Sequence, residues 1–235
     1  MVHTDARFVI GVVGNIISGA IFLSRIPTFI QLWRKKDAEA FDLAPYLINM
    51  LNCLFWCYYG LPLVTPNNIL VVTNNGFGLF MQLIYLIIYF YYAATNGRKR
   101  VAAYFVYELI FFGAVVAATV VMDRFWRAVV VGVMCFFSIA VMKAHLTAYC
   151  SPLCGVMDVT QMNRVQQYMK LSLFVAYVLN NCCWMSYALV GKLDFGILVC
   201  NGGIAIFGAF ELIIYICMPE DDSNARDKVH PCTTV

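Results

Sequence analysis

Long apolar segments separated by short polar stretches make up almost the whole of this chain of 235 residues. Seven of the segments reach the roughly twenty residues that an α-helix needs to cross the hydrocarbon core of a bilayer. The pattern therefore predicts seven transmembrane helices, which we call spans 1 to 7. They lie near residues 8–32, 43–63, 68–93, 101–122, 127–149, 166–190 and 194–217.

The composition supports an integral membrane protein built only of helices. Hydrophobic residues make up 62% of the chain and charged residues 12%, whereas a soluble domain carries about 25% charged residues. Most of the ten cysteines lie in the apolar segments, where cysteine behaves as a small hydrophobic residue. They form no zinc or disulfide framework, so we expect no metal site. We also expect neither a cofactor nor an enzymatic activity.

Part of span 2 returns in span 6. The stretch from Leu51 to Leu61 and the stretch from Leu179 to Leu189 share Leu, Asn, Trp, Tyr and Leu at one constant offset. Trp56 of the first stretch matches Trp184 of the second. Span 6 is therefore interpreted as a copy of span 2.

Span 3 returns in span 7 in the same way. Asn75 precedes a glycine in span 3, and Asn201 precedes a glycine in span 7. Fourteen residues after each asparagine comes the tyrosine of a Leu-Ile-Ile-Tyr string, Tyr89 in one case and Tyr215 in the other. The two asparagines should therefore lie at the same depth in the membrane.

These copies define the predicted topology. If spans 2 and 3 are repeated as spans 6 and 7, span 5 repeats span 1 and span 4 is left as a linker. A three-helix unit keeps its orientation only if one more crossing intervenes, so the architecture is two parallel repeats in a 3 + 1 + 3 order. Receptors of the rhodopsin type lack such a repeat. We expect a first repeat at 1–95, a linker at 96–124, a second repeat at 125–218 and a disordered tail at 219–235.

The basic residues indicate the orientation. One cluster, Arg34-Lys35-Lys36, lies between spans 1 and 2, and another, Arg98-Lys99-Arg100, lies between spans 3 and 4. Loops rich in Lys and Arg remain cytoplasmic. The N-terminus is therefore predicted outside and the C-terminus in the cytoplasm.

The paired asparagines are the strongest candidates for a binding site. A carboxamide in hydrocarbon is costly unless it is hydrogen-bonded or faces a wet cavity. Amides also hold membrane helices together, and this alternative remains open for Asn75 and Asn201, although their symmetry favours a shared site. Packing is favoured instead for the other symmetric pair, Asn52 and Asn180. The matched tryptophans either line the cavity or belong to an interfacial belt, and their position inside the spans favours the cavity.

With these motifs in view, the chain resembles the SWEET family of sugar uniporters. The resemblance rests on Gly14-Asn15, Pro45-Tyr46, the stretch Val72 to Gly76, Ser151-Pro152-Leu153 and Asn201-Gly202. It covers nearly the whole chain. It implies passive, bidirectional transport of a monosaccharide, glucose or a related hexose, by alternating access. It further implies a lipid bilayer, most simply the plasma membrane, and assembly into homo- or hetero-oligomers.

The resemblance also implies residue roles. Tyr59 and Asp194 match an outer gate. The residues that match the family's sugar-binding positions are Asn75, Asn201, Trp184 and Trp56.

The inner gate departs from the family pattern. Pro45 and Pro152 match two of four prolines that ring the cytoplasmic side and let half-helices swing. Arg25 and Lys170 stand where the other two are expected, and a helix without proline is expected to be straight and fully hydrogen-bonded there. Cys200 replaces a further proline just before the second asparagine.

A second departure concerns span 5. The six residues Lys143 to Ala148 look like an insertion, which would rotate the following helix by about 120° unless the residues bulge out. Together the departures leave an alternative function open. The chain would then be a transport-impaired paralogue that acts by hetero-oligomerising with active relatives.

Overall fold

The computed structural model describes the backbone of residues 2–36, 38, 42–150 and 164–217, and their side chains except at 2–4, 143–150, 164–171 and 207–217. Within these residues the regular structure is entirely helical, which confirms the all-α prediction. The helices are α1 (Val2–Leu23), α2 (Ile26–Lys35), α3 (Ala44–Gly60), α4 (Ile69–Tyr92), α5 (Thr95–Val120), α6 (Arg124–Cys150), α7 (Arg164–Leu189) and α8 (Phe195–Cys217).

The helices correspond one by one to the seven predicted spans, because α1 and α2 together form span 1. In the described part of the chain, four stretches are both long and apolar enough to cross a membrane: Asp5–Lys35, Ile69–Tyr92, Thr95–Val120 and Arg124–Met142. The helices α3, α7 and α8 supply the remaining spans. Seven-span helical architecture is thus confirmed.

The packing of the helices shows the two-fold relation between the repeats. In the first repeat α4 packs against α1 and α3, and in the second α8 packs against α6 and α7. Between the repeats, α1 lies against α7 and α3 lies against α6. The two contacts are equivalent: exchanging span 1 with its copy, span 5, and span 6 with its copy, span 2, converts the α1–α7 contact into the α3–α6 contact. The linker α5 packs outside this arrangement, on α3, α4 and α6.

Span 1 is broken where a straight helix was expected. The helix α1 ends at Leu23, Ser24 and Arg25 form a turn, and α2 begins at Ile26. Pro27 occupies the first turn of α2, and it has no N–H to donate to the carbonyl of Leu23. The expectation of an unbroken helix at Arg25 was therefore wrong, because a proline two residues later supplies the break.

Two other departures from the family pattern, at Lys170 and at Lys143 to Ala148, do not interrupt their helices. The helix α7 runs through Lys170 without interruption, as a chain without proline at that position should. The residues Lys143 to Ala148 are helical and extend α6 to Cys150. They lengthen the helix instead of bulging out of it.

The two ends of the bundle are held differently. We call the end with the α3–α4 and α7–α8 loops the Asp194 end, and the opposite end the Arg98 end. At the Asp194 end, Arg127 donates hydrogen bonds to the carbonyls of Leu63, Thr119, Val120 and Met122. At the other end, Arg98 donates to carbonyls at the end of α4, those of Phe90, Tyr91 and Ala93. Both arginines supply donors to carbonyls at or near helix ends, where intrahelical donors run out.

Candidate functional site

A cavity lies between the two repeats, with a volume of about 120 Å³. All four residues expected to bind a substrate line this one cavity. They are Asn75 on α4, Asn201 on α8, Trp56 on α3 and Trp184 on α7.

The two asparagines have the same local geometry. Asn75 Nδ2 donates to the carbonyl of Val71 at 2.9 Å, and Asn201 Nδ2 donates to the carbonyl of Ile197 at 3.0 Å. Each side chain thus bonds to its own helix, four residues back, and to no other helix in the described part of the chain. The carbonyl oxygen and the second N–H of each amide therefore stay available toward the cavity.

The other symmetric pair of asparagines joins the repeats. Ser18 of α1 donates to Asn180 of α7 at 2.6 Å, and Ser138 of α6 donates to Asn52 of α3 at 3.0 Å. These two bonds cross the two symmetry-related contacts between the repeats. Amide side chains commonly hold membrane helices in this way, so the packing interpretation of Asn52 and Asn180 agrees with their geometry.

The tryptophans face inward. Trp56 and Trp184 are each only 5% exposed, which is incompatible with a belt at the membrane surface. Each ring meets a tyrosine edge to face, Trp56 on Tyr59 at 5.5 Å and Trp184 on Tyr187 at 5.4 Å between centroids. Both rings line the cavity, one from each repeat.

A hydrogen-bond network joins the two repeats at the Asp194 end. Tyr59 Oη donates to Asp194 Oδ1 at 2.8 Å, and Asn68 Nδ2 donates to Asp194 Oδ2 at 2.7 Å. Asp194 Oδ1 also accepts the N–H of Ile197 at 3.1 Å and so caps the start of α8. The pair implied as an outer gate is therefore brought into direct contact.

Three residues of this network, Arg7, Asn68 and Tyr187, were not identified from the sequence. Arg7 Nη2 donates to Asn68 Oδ1 at 2.9 Å, and its guanidinium lies 4.3 Å from the ring centroid of Tyr187. Tyr187 Oη donates to Asn68 Oδ1 at 3.4 Å. The repeat held a signal for two of them, since Tyr187 is the copy of Tyr59, and Asp194 follows Asn68 at the offset that relates Asn201 to Asn75.

The network lies about two helical turns from the amides of Asn75 and Asn201. Seven residues separate Asn68 from Asn75 and Asp194 from Asn201, which is about 10 Å along each helix. The network therefore lies between the amides and the Asp194 end of the bundle.

The expected inner-gate residues are only partly described. Pro45 lies in the first turn of α3, and Arg25 lines the cavity toward the Arg98 end. Pro152 and the side chain of Lys170 fall outside the described residues. Cys200 is 2% exposed within an unbroken α8, so no helix break replaces the missing proline.

Similarity to known proteins decides the family. A family model described as "Sugar efflux transporter for intercellular exchange" matches the chain twice, over residues 8–97 and 130–223. Bidirectional sugar transporter SWEET4 of Arabidopsis thaliana is 38% identical over 225 residues, 93% of this chain and 86% of that protein. Bidirectional sugar transporter SWEET7b of Oryza sativa subsp. japonica is 39% identical over 231 residues, 97% of this chain and 84% of that protein. The chain belongs to the SWEET family.

A solved structure supports the same assignment for this SWEET protein. A eukaryotic SWEET transporter superimposes with a TM-score of 0.79 at 31% identity, covering 92% of this chain and 98% of that one. The resemblance and the fold class inferred from the sequence are therefore confirmed. The family is one of membrane transporters and not of enzymes. Among the described residues no cluster of His, Cys, Asp or Glu could hold a metal.

Proposed function

We propose that this SWEET protein is a passive, bidirectional facilitator for a monosaccharide, glucose or a related hexose, that works by alternating access. The observation that carries the proposal is the pair Asn75 and Asn201. Both amides project from equivalent positions into one cavity, each with donor and acceptor capacity left over. The curated relatives are named bidirectional sugar transporters, which supports the same function here.

The chemistry of the cavity suits a sugar ring. Hydroxyl groups both donate and accept hydrogen bonds, and so does a carboxamide. The C–H faces of a hexose can pack on the rings of Trp56 and Trp184. Neutral partners also hold a neutral sugar loosely enough for release on the other side.

The hydrogen-bond network at the Asp194 end supports a proposal for the gates. We infer that Tyr59 and Asp194 form the outer gate together with Asn68, Tyr187 and Arg7. Pro45, Pro152, Arg25 and Lys170 are proposed as the inner gate and its hinges. The two three-helix repeats would rock about the cavity, with α5 as the linker between them.

The orientation follows from the basic clusters. Arg34 to Lys36 and Arg98 to Arg100 lie at the Arg98 end of the bundle, which the positive-inside rule makes cytoplasmic. The Asp194 end and the N-terminus would then lie outside and the C-terminus in the cytoplasm. We propose the plasma membrane as the site, the division 1–95, 96–124, 125–218 and 219–235 as the domain plan, and homo- or hetero-oligomers as the assembly.

Uptake of labelled glucose into cells that lack hexose transport tests the proposal. We expect glucose to equilibrate without accumulating, at a rate unaffected by a protonophore, and fructose and sucrose serve as competitors. If the chain reaches the membrane but moves no sugar alone, and raises uptake only beside an active relative, the hetero-oligomer alternative replaces this proposal.

The break at Pro27 should limit the speed of transport. Pro27→Ala restores an N–H for the carbonyl of Leu23 and stiffens the junction of α1 and α2. We expect initial glucose uptake to fall several-fold at matched surface expression. Pro66→Ala, in the exposed α3–α4 loop, is the control. Equal rates for the two variants would show that the break is not a hinge.

A further inference from the structure

Among the residues that the structure describes, Arg25 is the one charged residue in the wall of the central cavity. It lies in the turn between α1 and α2 and lines the same space as Asn75 and Asn201. The other polar residues of that wall are neutral: Ser18, Asn49, Asn52, Asn74, Tyr177, Asn180 and Asn181. The described cavity therefore carries one net positive charge.

The guanidinium has unused hydrogen-bonding capacity. Its Nη1 is buried and has no hydrogen-bond partner. Its neighbours are uncharged aromatic side chains: it donates a hydrogen bond to Tyr177, its central carbon lies 5.5 Å from the ring centroid of Tyr46, and Tyr85 lies beside it. A buried cation is normally paired with an anion. Here the described part of the chain supplies none.

From this geometry we propose that the cavity binds a monosaccharide that carries a carboxylate, a hexuronate, with the carboxylate paired to Arg25. The inference rests on the proposed transport function and names a second substrate class for the same site. The sugar hydroxyls would bond to Asn75 and Asn201 as in a neutral hexose. A guanidinium presents a planar set of N–H donors that matches a carboxylate.

Charge and size favour a carboxylate over a phosphate ester. A hexuronate carries one negative charge and brings the described cavity to neutrality, whereas a sugar phosphate near pH 7 carries up to two and leaves an excess. The carboxylate also adds little volume to the hexose ring. A phosphoryl group adds a bulky tetrahedral centre to a cavity of about 120 Å³.

The test uses the purified full-length protein in liposomes, with the membrane potential clamped by K⁺ and valinomycin because movement of an anion alone is electrogenic. Uptake of labelled glucuronate and of labelled glucose is measured side by side. We expect the parent protein to take up both sugars, and unlabelled glucuronate to compete with glucose. Phosphate-bearing glucose should compete poorly.

Substitutions of Arg25 test whether its guanidinium is responsible for glucuronate uptake. Arg25→Gln should lower the ratio of glucuronate to glucose uptake about ten- to a hundred-fold, the range expected for a lost charged hydrogen bond, and Arg25→Lys should retain part of it. Arg34→Gln, an exposed arginine of α2, should leave the ratio unchanged.

The outcomes separate this inference from the function on which it depends. Glucose uptake without glucuronate uptake or competition overturns the hexuronate site and leaves the transport proposal standing. An unchanged ratio in Arg25→Gln also overturns it. Failure to move either sugar contradicts the transport proposal itself.

Discussion

Asn75→Ala and Asn201→Ala should each abolish hexose transport while the protein still reaches the membrane. Each side chain offers the cavity a donor and an acceptor, and each lost hydrogen bond to a sugar costs about 1 kcal/mol or more. The fold should tolerate the change, because each amide bonds only to a carbonyl of its own helix in the described structure. Initial-rate uptake of labelled glucose at matched surface expression measures the loss.

A matched control is available on the same protein. Asn96 lies exposed at the start of α5, outside the cavity, so Asn96→Ala should transport like the parent. If Asn75→Ala and Asn201→Ala also transport at the parental rate, the symmetric amides are not the sugar site.

Asp194→Ala should open the Asp194 end of the bundle and strongly reduce transport. The carboxylate accepts hydrogen bonds from Tyr59 and Asn68, and bonds to a charged group are worth roughly 1.5–3 kcal/mol each. Losing both should shift the closed-to-open equilibrium by about a hundred-fold or more, since 1.4 kcal/mol corresponds to a factor of about ten. A protein held open on one side completes few transport cycles.

Cys200 reports the opening directly. Its side chain is 2% exposed and lies between Asp194 and Asn201 on α8. We expect a membrane-impermeant maleimide to label Cys200 in Asp194→Ala cells faster than in parental cells, as measured by mass spectrometry of the peptide. Asp5→Ala, an exposed aspartate in the first turn of α1, is the control. Protection of Cys200 in both variants would mean that loss of the network does not open the Asp194 end.

The sequence by itself determined the architecture. Backbone groups in a bilayer must be satisfied within the chain, so long apolar segments become helices. The matched positions of Asn75 and Asn201 and of Trp56 and Trp184 then implied two repeats. Repeats related by an axis between them place equivalent residues around that axis, which is why one cavity brings all four together.

The partners of the side-chain hydrogen bonds and the position of the helix break in span 1 were decided only by the tertiary structure. Asn68 and Asp194 are 126 residues apart, and neither local pattern states that the two side chains meet or that Arg7 and Tyr187 join them. The break in span 1 followed Pro27 and not the position aligned with a family proline. That Arg25 Nη1 is buried without a hydrogen-bond partner is likewise decided by the helices packed around it. Such contacts join residues far apart in sequence, so packing alone decides which polar groups are satisfied and which remain free for a ligand.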